Sequence, residues 1–469
     1  MLNEYFFVMK FEWMLIGIIF LLLFIKLSSS NWKNESLLYV INSLLLVNLV
    51  CGFFGNMEGG LFSSMFQTNH LLFLEKNILN LGVYLVSLIA FPWLKEHKYL
   101  LEFYILLLTT LLGMFFMISS GNLLIFYLGL EMSTIPLAAI ANFDLAKRKS
   151  SEAAMKMIIS SAFSSALLLF GVSFIYGTTG TLEFSEITNH LNGNAIQVFA
   201  FILLLAGFSF KMSVVPFHLW TADVYEGAPV PVTAYLSVVS KSAILFIFMK
   251  FLYSVFGPMS SQWYYMLFFL SVLTILLGNL FAIRQNNLKR FLAFSSIAQV
   301  GFILLGISGS SQDGIASVIY FLLIYLFSNL GAFGVIALVS AATGKEDISD
   351  FKGFYKTNPF LSWVIAISLF SLAGVPPTAG FFGKFFLIMA GAGKGNWVWV
   401  IFAAVNMMIS FYYYLKVVKA IFMDENEHPI EKIAVPAFPK LAFIICLTGM
   451  IVTGFLSWIY EYIHSLSNL

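Results

Sequence analysis

Charge is what this chain has least of. Only 10% of its 469 residues are Asp, Glu, Lys or Arg, while 60% are hydrophobic and 17% aromatic; soluble domains carry about 25% charged residues. Such a composition excludes a soluble globular domain and describes a polytopic membrane protein. Cysteine is nearly absent. Cys51 and Cys446 both lie in apolar runs, so neither a disulfide framework nor a thiolate metal site is implied. The six histidines, His70, His97, His190, His218, His428 and His464, stand far apart without helical pairing, which argues against a haem or metal centre. No phosphate-binding G-x-x-x-x-G-K-[ST], no dinucleotide fingerprint after a strand and no nucleophile elbow occurs. The chain has no evident redox cofactor or ATP site of its own. Its net charge of +2 says less than the places where the charges sit.

What the chain has in abundance is apolar runs of about 20 residues, each enough to cross a bilayer as a helix. They predict an all-α protein of about fourteen spans, at 13–30, 37–55, 72–94, 100–119, 122–142, 153–176, 196–220, 230–256, 263–283, 291–309, 314–341, 360–391, 396–422 and 437–462. Lys10 and Glu12 precede the first run and no A-x-A site follows it, so it reads as a retained span rather than a signal peptide. Basic residues test the count, because they concentrate in cytoplasmic loops. Eighteen of the 25 fall after odd-numbered spans, among them Lys147, Arg148, Lys149, Arg284, Lys289 and Arg290. Lys10, Lys76, Lys250 and Lys394 fall on the opposite side, and Lys211, Lys241 and Lys384 within spans. Both termini are therefore expected to face outward. The basic clusters read as orientation signals, not as nucleic-acid patches.

Two spans carry proline at depth. Pro216 lies in the seventh, and Pro376 and Pro377 in the twelfth, within SLAGVPPTAGFFGK. A proline inside a helix frees the carbonyl four residues earlier, here Met212 and Leu372. In lipid such a break is tolerated where protein or a water-filled cavity satisfies the freed groups. Five spans separate the two breaks, so they cross in opposite directions, as an inverted repeat requires. The expected organisation is a three-helix segment at 1–99, a five-helix repeat at 100–256, an inverted five-helix repeat at 263–422 and a C-terminal helix at 437–469.

The chemistry-bearing residues are those that cost most to bury. A lysine at the bilayer centre costs about 2.5–3.5 kcal/mol on insertion scales. Glu131 reads as the one well-buried acid, against three central lysines, Lys211, Lys241 and Lys384. All four ionised would leave two positive charges uncompensated, so at least one lysine is expected to be neutral at any moment. Moving Glu131 towards or away from Lys211 would switch the proton affinity of that lysine. The alternative is a structural ion pair between spans five and seven. His218, seven residues after Lys211 on about the same helical face, is a possible relay or a packing residue. Lys250 reads as an anchor at the outer interface. Ser237, Ser240, Ser242, Ser295, Ser296, Gln299, Tyr325, Ser328, Asn329, Asn406 and Tyr412 to Tyr414 could hold water between the lysines, or mediate helix packing.

LEMSTIP around Glu131, FKMSVVPFHLWTADVYEGAPVPVTA around Lys211, SK at Lys241 and GVPPTAGFFGK around Lys384 resemble the antiporter-like membrane subunits of proton-translocating NADH:quinone oxidoreductase, respiratory complex I. The likeness covers roughly residues 105–420. It implies two inverted five-helix bundles and a relay with Glu131 and Lys211 as coupling pair, Lys241 as connecting lysine and Lys384 as terminal one. Fourteen spans, Lys384 and an end at Leu469 are most similar to bacterial subunit N. Gln299 stands where some relatives carry a titratable residue. The resemblance further implies a multi-pass protein of the bacterial inner membrane, beside other antiporter-like and small membrane subunits. Flavin mononucleotide, iron–sulfur clusters and quinone would belong to the rest of the complex. Two further readings stand beside it: a subunit of a multisubunit cation/proton antiporter, which shares these motifs, and a structural anchor for an electron-transfer arm.

Overall fold

In lipid every backbone N–H and C=O must find a partner within the protein, so apolar runs of this length fold as helices. The structure, a computed structural model, describes residues 2–28, 32–309, 311–393, 395 and 397–467. Lys394 and the last two residues of the first expected span lie outside them. The long helices are α1 (Lys10–Leu27), α2 (Asn34–Cys51), α3 (His70–Leu94), α4 (Leu100–Ile118), α5 (Leu123–Ala141), α6 (Arg148–Thr179), α7 (Ala195–Met212), α8 (Leu219–Gly227), α9 (Val230–Val255), α10 (Ser260–Ile283), α11 (Leu288–Ile307), α12 (Ser311–Thr343), α13 (Pro359–Ala373), α14 (Ala379–Ala392), α15 (Trp397–Phe422) and α16 (Ala437–Phe455). Among the described residues, twelve helices are long and apolar enough to cross a membrane, and α13 and α14 are shorter apolar helices. The protein is a multi-pass α-helical membrane protein.

Burial sorts these helices into a centre and a wall. In α9, α11 and α12, 94% of the most apolar stretch is buried, whereas α2, α15 and α16 bury only 33%. A helix hydrophobic all round and buried all round is a core element, so α9, α11 and α12 form the central axis. The wall helices present Phe163, Phe269, Ile401 and Met408 outward, as lipid contact requires. Helix α4 packs along α5, α6 along α7, and α10 along the central α11.

The two ends of the bundle differ. At one end a small antiparallel hairpin, β1 (Gly59–Leu61) with β2 (Phe66–Thr68), meets the α4–α5 connection through a Phe66–Ser120 bridge. The opposite, basic end carries Lys147, Arg148, Lys149 and Arg290.

Several expectations change here. Glu131 is half-buried, and it is not the only intramembrane acid: Glu12 is fully buried and Glu75 is 4% exposed. Lys76, counted on the outward side, donates to Glu12 Oε1 at 2.7 Å with both side chains wholly buried. Helix α1 starts at Lys10, before the hydropathy limit at 13, which draws Glu12 inside, whereas Glu75 and Lys76 lie within the expected third span near its outer end. Lys10 likewise turns inward, onto the Cys51 carbonyl at the end of α2 and the Asn56 side chain. Lys250, expected as a surface anchor, donates to the Ser120 carbonyl at 2.7 Å.

Candidate functional site

Both breaks end in the same way. Helix α7 stops at Met212, where Ser213 takes φ +67°, and the Val214 N–H closes back onto the Ser209 carbonyl at 2.8 Å. Helix α13 stops at Ala373, where Gly374 takes φ +85°, and the Val375 N–H closes onto the Phe370 carbonyl at 3.0 Å. This is the left-handed cap that terminates many helices. Pro216, Pro376 and Pro377 therefore lie in the connections beyond each stop, not as kinks inside a helix. At the first break the unusual serine is held by its own hydroxyl, which accepts from Thr221 Oγ1 at 2.6 Å and so ties α7 to α8. At the second, α13 and α14 approach so closely that a Cβ on Gly380 would lie 1.7 Å from the Ser371 carbonyl oxygen.

Lys211 ends α7. Its Nζ donates to Ser161 Oγ at 2.6 Å and Thr134 Oγ1 at 3.2 Å, placing it between α6 and α5. Among the described residues it makes no ion pair within 4 Å, and Glu131 Oε1 is buried without a hydrogen-bond partner. The expected Glu131–Lys211 pair is thus open in this conformation, with Thr134 of the Glu131 helix contacting the lysine instead. A cavity of about 20 Å³ lies against Lys211, Ser133 and Thr134, space for about one water.

Lys241 lies in the central helix α9, directly after a π-helical turn at Leu236–Ser240. Such turns frequently mark functional positions, because they redirect a side chain and loosen the backbone ladder. Lys241 is 3% exposed; its Nζ donates to Ser296 Oγ of α11 at 2.8 Å and sits 5.4 Å from the centre of the Tyr225 ring. Lys384, on α14, is 1% exposed and donates to the Ala373 carbonyl at 3.2 Å, 5.1 Å from the Phe302 ring centre.

Gln299 joins these two sites. One turn beyond Ser296 on α11, its Nε2 donates to the Leu372 carbonyl at 2.9 Å and to Tyr414 Oη at 3.1 Å, and its Oε1 is left unbonded. Leu372 is the carbonyl that the Pro376 motif was expected to free. Gln299 and Lys384 therefore bind adjacent carbonyls at the end of α13, and Gln299 lies one turn along α11 from the Ser296 that Lys241 holds. Replacing Gln299 with Leu strands the Leu372 carbonyl. A buried unsatisfied group costs about 1–3 kcal/mol, so Gln299→Leu is expected to lower the thermal unfolding midpoint of the purified assembly.

Other expected polar residues close the same axis. Asn329 Nδ2 donates to Ser237 Oγ at 2.6 Å, Tyr325 Oη lies 3.1 Å from that oxygen, Ser328 donates to Ser371 at 2.7 Å, and Ser295 bonds Tyr414. Asn279, absent from the expected set, binds Asn406 and Tyr413. Ser240 lies at the Lys211 cavity, not with Ser237. Ser242 has an unpartnered buried hydroxyl, and Tyr412 is 61% exposed on the wall and belongs to no relay. His218 is not on the Lys211 helix at all. It caps α8 across the break, stacked near Phe281 and beside the Pro216 carbonyl.

The basic clusters do more than mark orientation. Arg290 donates to Asp223 (2.7 Å) and Glu226 (3.1 Å) on α8, Lys156 to Asp223 (2.8 Å) and Lys149 to Glu226 (3.2 Å). These pairs fasten the second half of the first broken helix to α6 and α11. Asp223 and Glu226 stand inside the TADVYEGAP stretch, but their partners come from 64 to 77 residues away.

Residues 120–410 match the family described as NADH:quinone oxidoreductase/Mrp antiporter, transmembrane. The chain is 46% identical over 444 residues to NADH-quinone oxidoreductase subunit N of Phocaeicola vulgatus, covering 94% of this chain and 93% of the relative. It is 45% identical over 457 residues to the protein of the same name from Azobacteroides pseudotrichonymphae, covering 96% and 95%. A chain of respiratory complex I from Thermus thermophilus with bound aureothin shares the fold with a TM-score of 0.81 at 26% identity, covering 96% of this chain and 97% of that one. With intramembrane lysines at both breaks and near-full-length likeness to these relatives, the chain belongs to the NADH:quinone oxidoreductase/Mrp antiporter transmembrane family, among the NADH-quinone oxidoreductase subunits N.

Proposed function

We propose that this chain translocates protons as a membrane subunit of an NADH:quinone oxidoreductase, driven by quinone reduction elsewhere in the complex. The carrying observation is the axis itself: three intramembrane lysines, each on a neutral hydroxyl or carbonyl, with Ser296 and Gln299 joining Lys241 to Lys384. A lysine held by neutral oxygens can gain or lose a proton without breaking an ion pair. Glu131 and Lys211 act as the switchable pair, Lys241 connects, and Lys384 ends the line. His218 stands by as a buried base on α8.

Adding α1 as a span and treating α13 with α14 as one gives fourteen crossings. Two inverted five-helix repeats, 100–256 and 263–422, are supported by the recurring order of helix lengths: the third member is long in each, α6 and α12, and the fourth is broken in each. By the concentration of basic residues the basic end faces the cytoplasm of a bacterial cell, and both termini and the hairpin end face outward. Neighbouring antiporter-like and small membrane subunits are the expected partners, and flavin, iron–sulfur clusters and quinone belong to other chains of the assembly. Gentle extraction of a tagged chain tests this reading. Flavin and iron–sulfur subunits should co-purify with inhibitor-sensitive NADH:quinone activity; sodium-dependent proton exchange without redox subunits would place the chain in a cation/proton antiporter instead.

A further inference from the structure

Away from the lysine axis, a cavity lies at the hairpin end. It measures about 540 Å³ and is lined by the hairpin residues Ser64 and Gln67 and by Glu75, Phe246, Met249 and Lys250. Glu75 is 4% exposed, yet among the described residues it makes no hydrogen bond and no ion pair within 4 Å. Lys250 lines the same cavity, donates to the Ser120 carbonyl and sits 5.7 Å from the centre of the Phe184 ring; the charges of Lys250 and Lys76 both act on Glu75. Lys76 is already neutralised by Glu12, which leaves Glu75 and Lys250 as an opposed but unjoined pair. A buried acid and a buried amine that do not touch, in a cavity large enough for several waters, suit proton transfer better than packing. Lys250 is also followed at once by a second π-helical turn, Phe251–Val255, the same irregularity that precedes Lys241.

We propose that Glu75 and Lys250 form the outer proton port of this subunit, a proposal that rests on the proton-translocation reading above. Protonated Lys250 passes its proton through cavity water to the Glu75 carboxylate, which releases it outward, and Lys250 is reloaded from the interior. Helices α4 and α9 pack against each other and contribute residues to both cavities. Met117 and Ile244 line the inner cavity, and Ile118 and Phe246 the outer. From Ile244 to Lys250 is six residues of helix, about 9 Å, closed by apolar side chains. Such a dry step keeps the two cavities from becoming a leak.

The test uses the assembled complex in proteoliposomes energised by NADH, read as membrane potential. Glu75→Gln should lower proton pumping by about a hundredfold or more, the loss expected for a positioned proton-transfer group. Glu75→Asp, which keeps a carboxyl, should retain pumping. Glu75→Ala should regain pumping when formate is present, because a small carboxylate can refill the cavity. Normal pumping by Glu75→Gln, or a Glu75→Ala defect that formate does not relieve in an assembled complex, overturns the port. Lys211→Met in the same vesicles separates the two claims: if it pumps normally, the translocation reading fails, whereas a dead Lys211→Met beside a fully active Glu75→Gln sinks only the port.

Discussion

Lys211→Met should bring NADH-driven proton pumping down to background while the complex still assembles. The methionine keeps the length and apolar stem of the side chain, so the space between α5, α6 and α7 stays filled. What is lost is the ammonium that holds Ser161 and Thr134. A positioned acid–base group contributes about a hundredfold or more to proton transfer, and the other intramembrane lysines sit on other helices with other partners. The variant also separates relay from scaffold. A purely structural ion pair is not present to be broken, because Lys211 contacts hydroxyls and Glu131 Oε1 is unpartnered. Proton pumping by Lys211→Met at the unaltered rate, measured in reconstituted complex of verified composition, would remove Lys211 from the relay.

The largest stability effect is expected far from the axis, at Glu12 and Lys76. Glu12→Gln leaves an ammonium with no exposure, surrounded by Phe11, Phe66 and Phe115 at 5.5, 5.1 and 5.7 Å from their ring centres. Three aromatic faces attract a cation but do not replace a carboxylate at 2.7 Å. Breaking a buried pair on one side costs about 3–5 kcal/mol. A marked fall in the thermal midpoint of the solubilised complex should follow, with poor incorporation of the subunit. The double variant Glu12→Leu with Lys76→Met removes both charges, and buried pairs replaced by apolar groups are often neutral in stability. It should recover most of the loss. Equal stability of Glu12→Gln and the unaltered protein would show that Lys76 discards its proton at no cost.

Lys211, Lys241 and Lys384 were legible in the sequence because a lysine amid twenty apolar residues has few inexpensive explanations. The broken helices were legible for a similar reason: SVVP and GVPP cannot continue a helix. The sequence reading missed what those breaks bond to. The carbonyl of Leu372 could be named from the position of Pro376, but its donor, Gln299, comes from 73 residues away on α11. Glu12 and Lys76 were invisible as a pair because each lies at the edge of its own apolar run, 64 residues apart, and a hydropathy window treats edge charges as loops. His218 was placed on the Lys211 face by counting through Pro216 as if the helix went on. The chain turns at Ser213, so spacing no longer tells which way the ring points.

The second break sets up an asymmetry between the two lysines at the helix breaks. Lys211 has an acid in its neighbourhood, and a carboxylate can be switched off by a single proton. Lys384 instead faces the carboxyl-terminal end of α13, through the Ala373 carbonyl, where aligned peptide dipoles amount to about half a negative charge. That charge belongs to the backbone and no proton can cancel it. In the proposed relay, the first lysine is switched chemically through its neighbouring carboxylate, whereas the last is switched only mechanically, by moving a half-helix relative to its side chain. One subunit thus holds a counter-charge that titrates and another that never does.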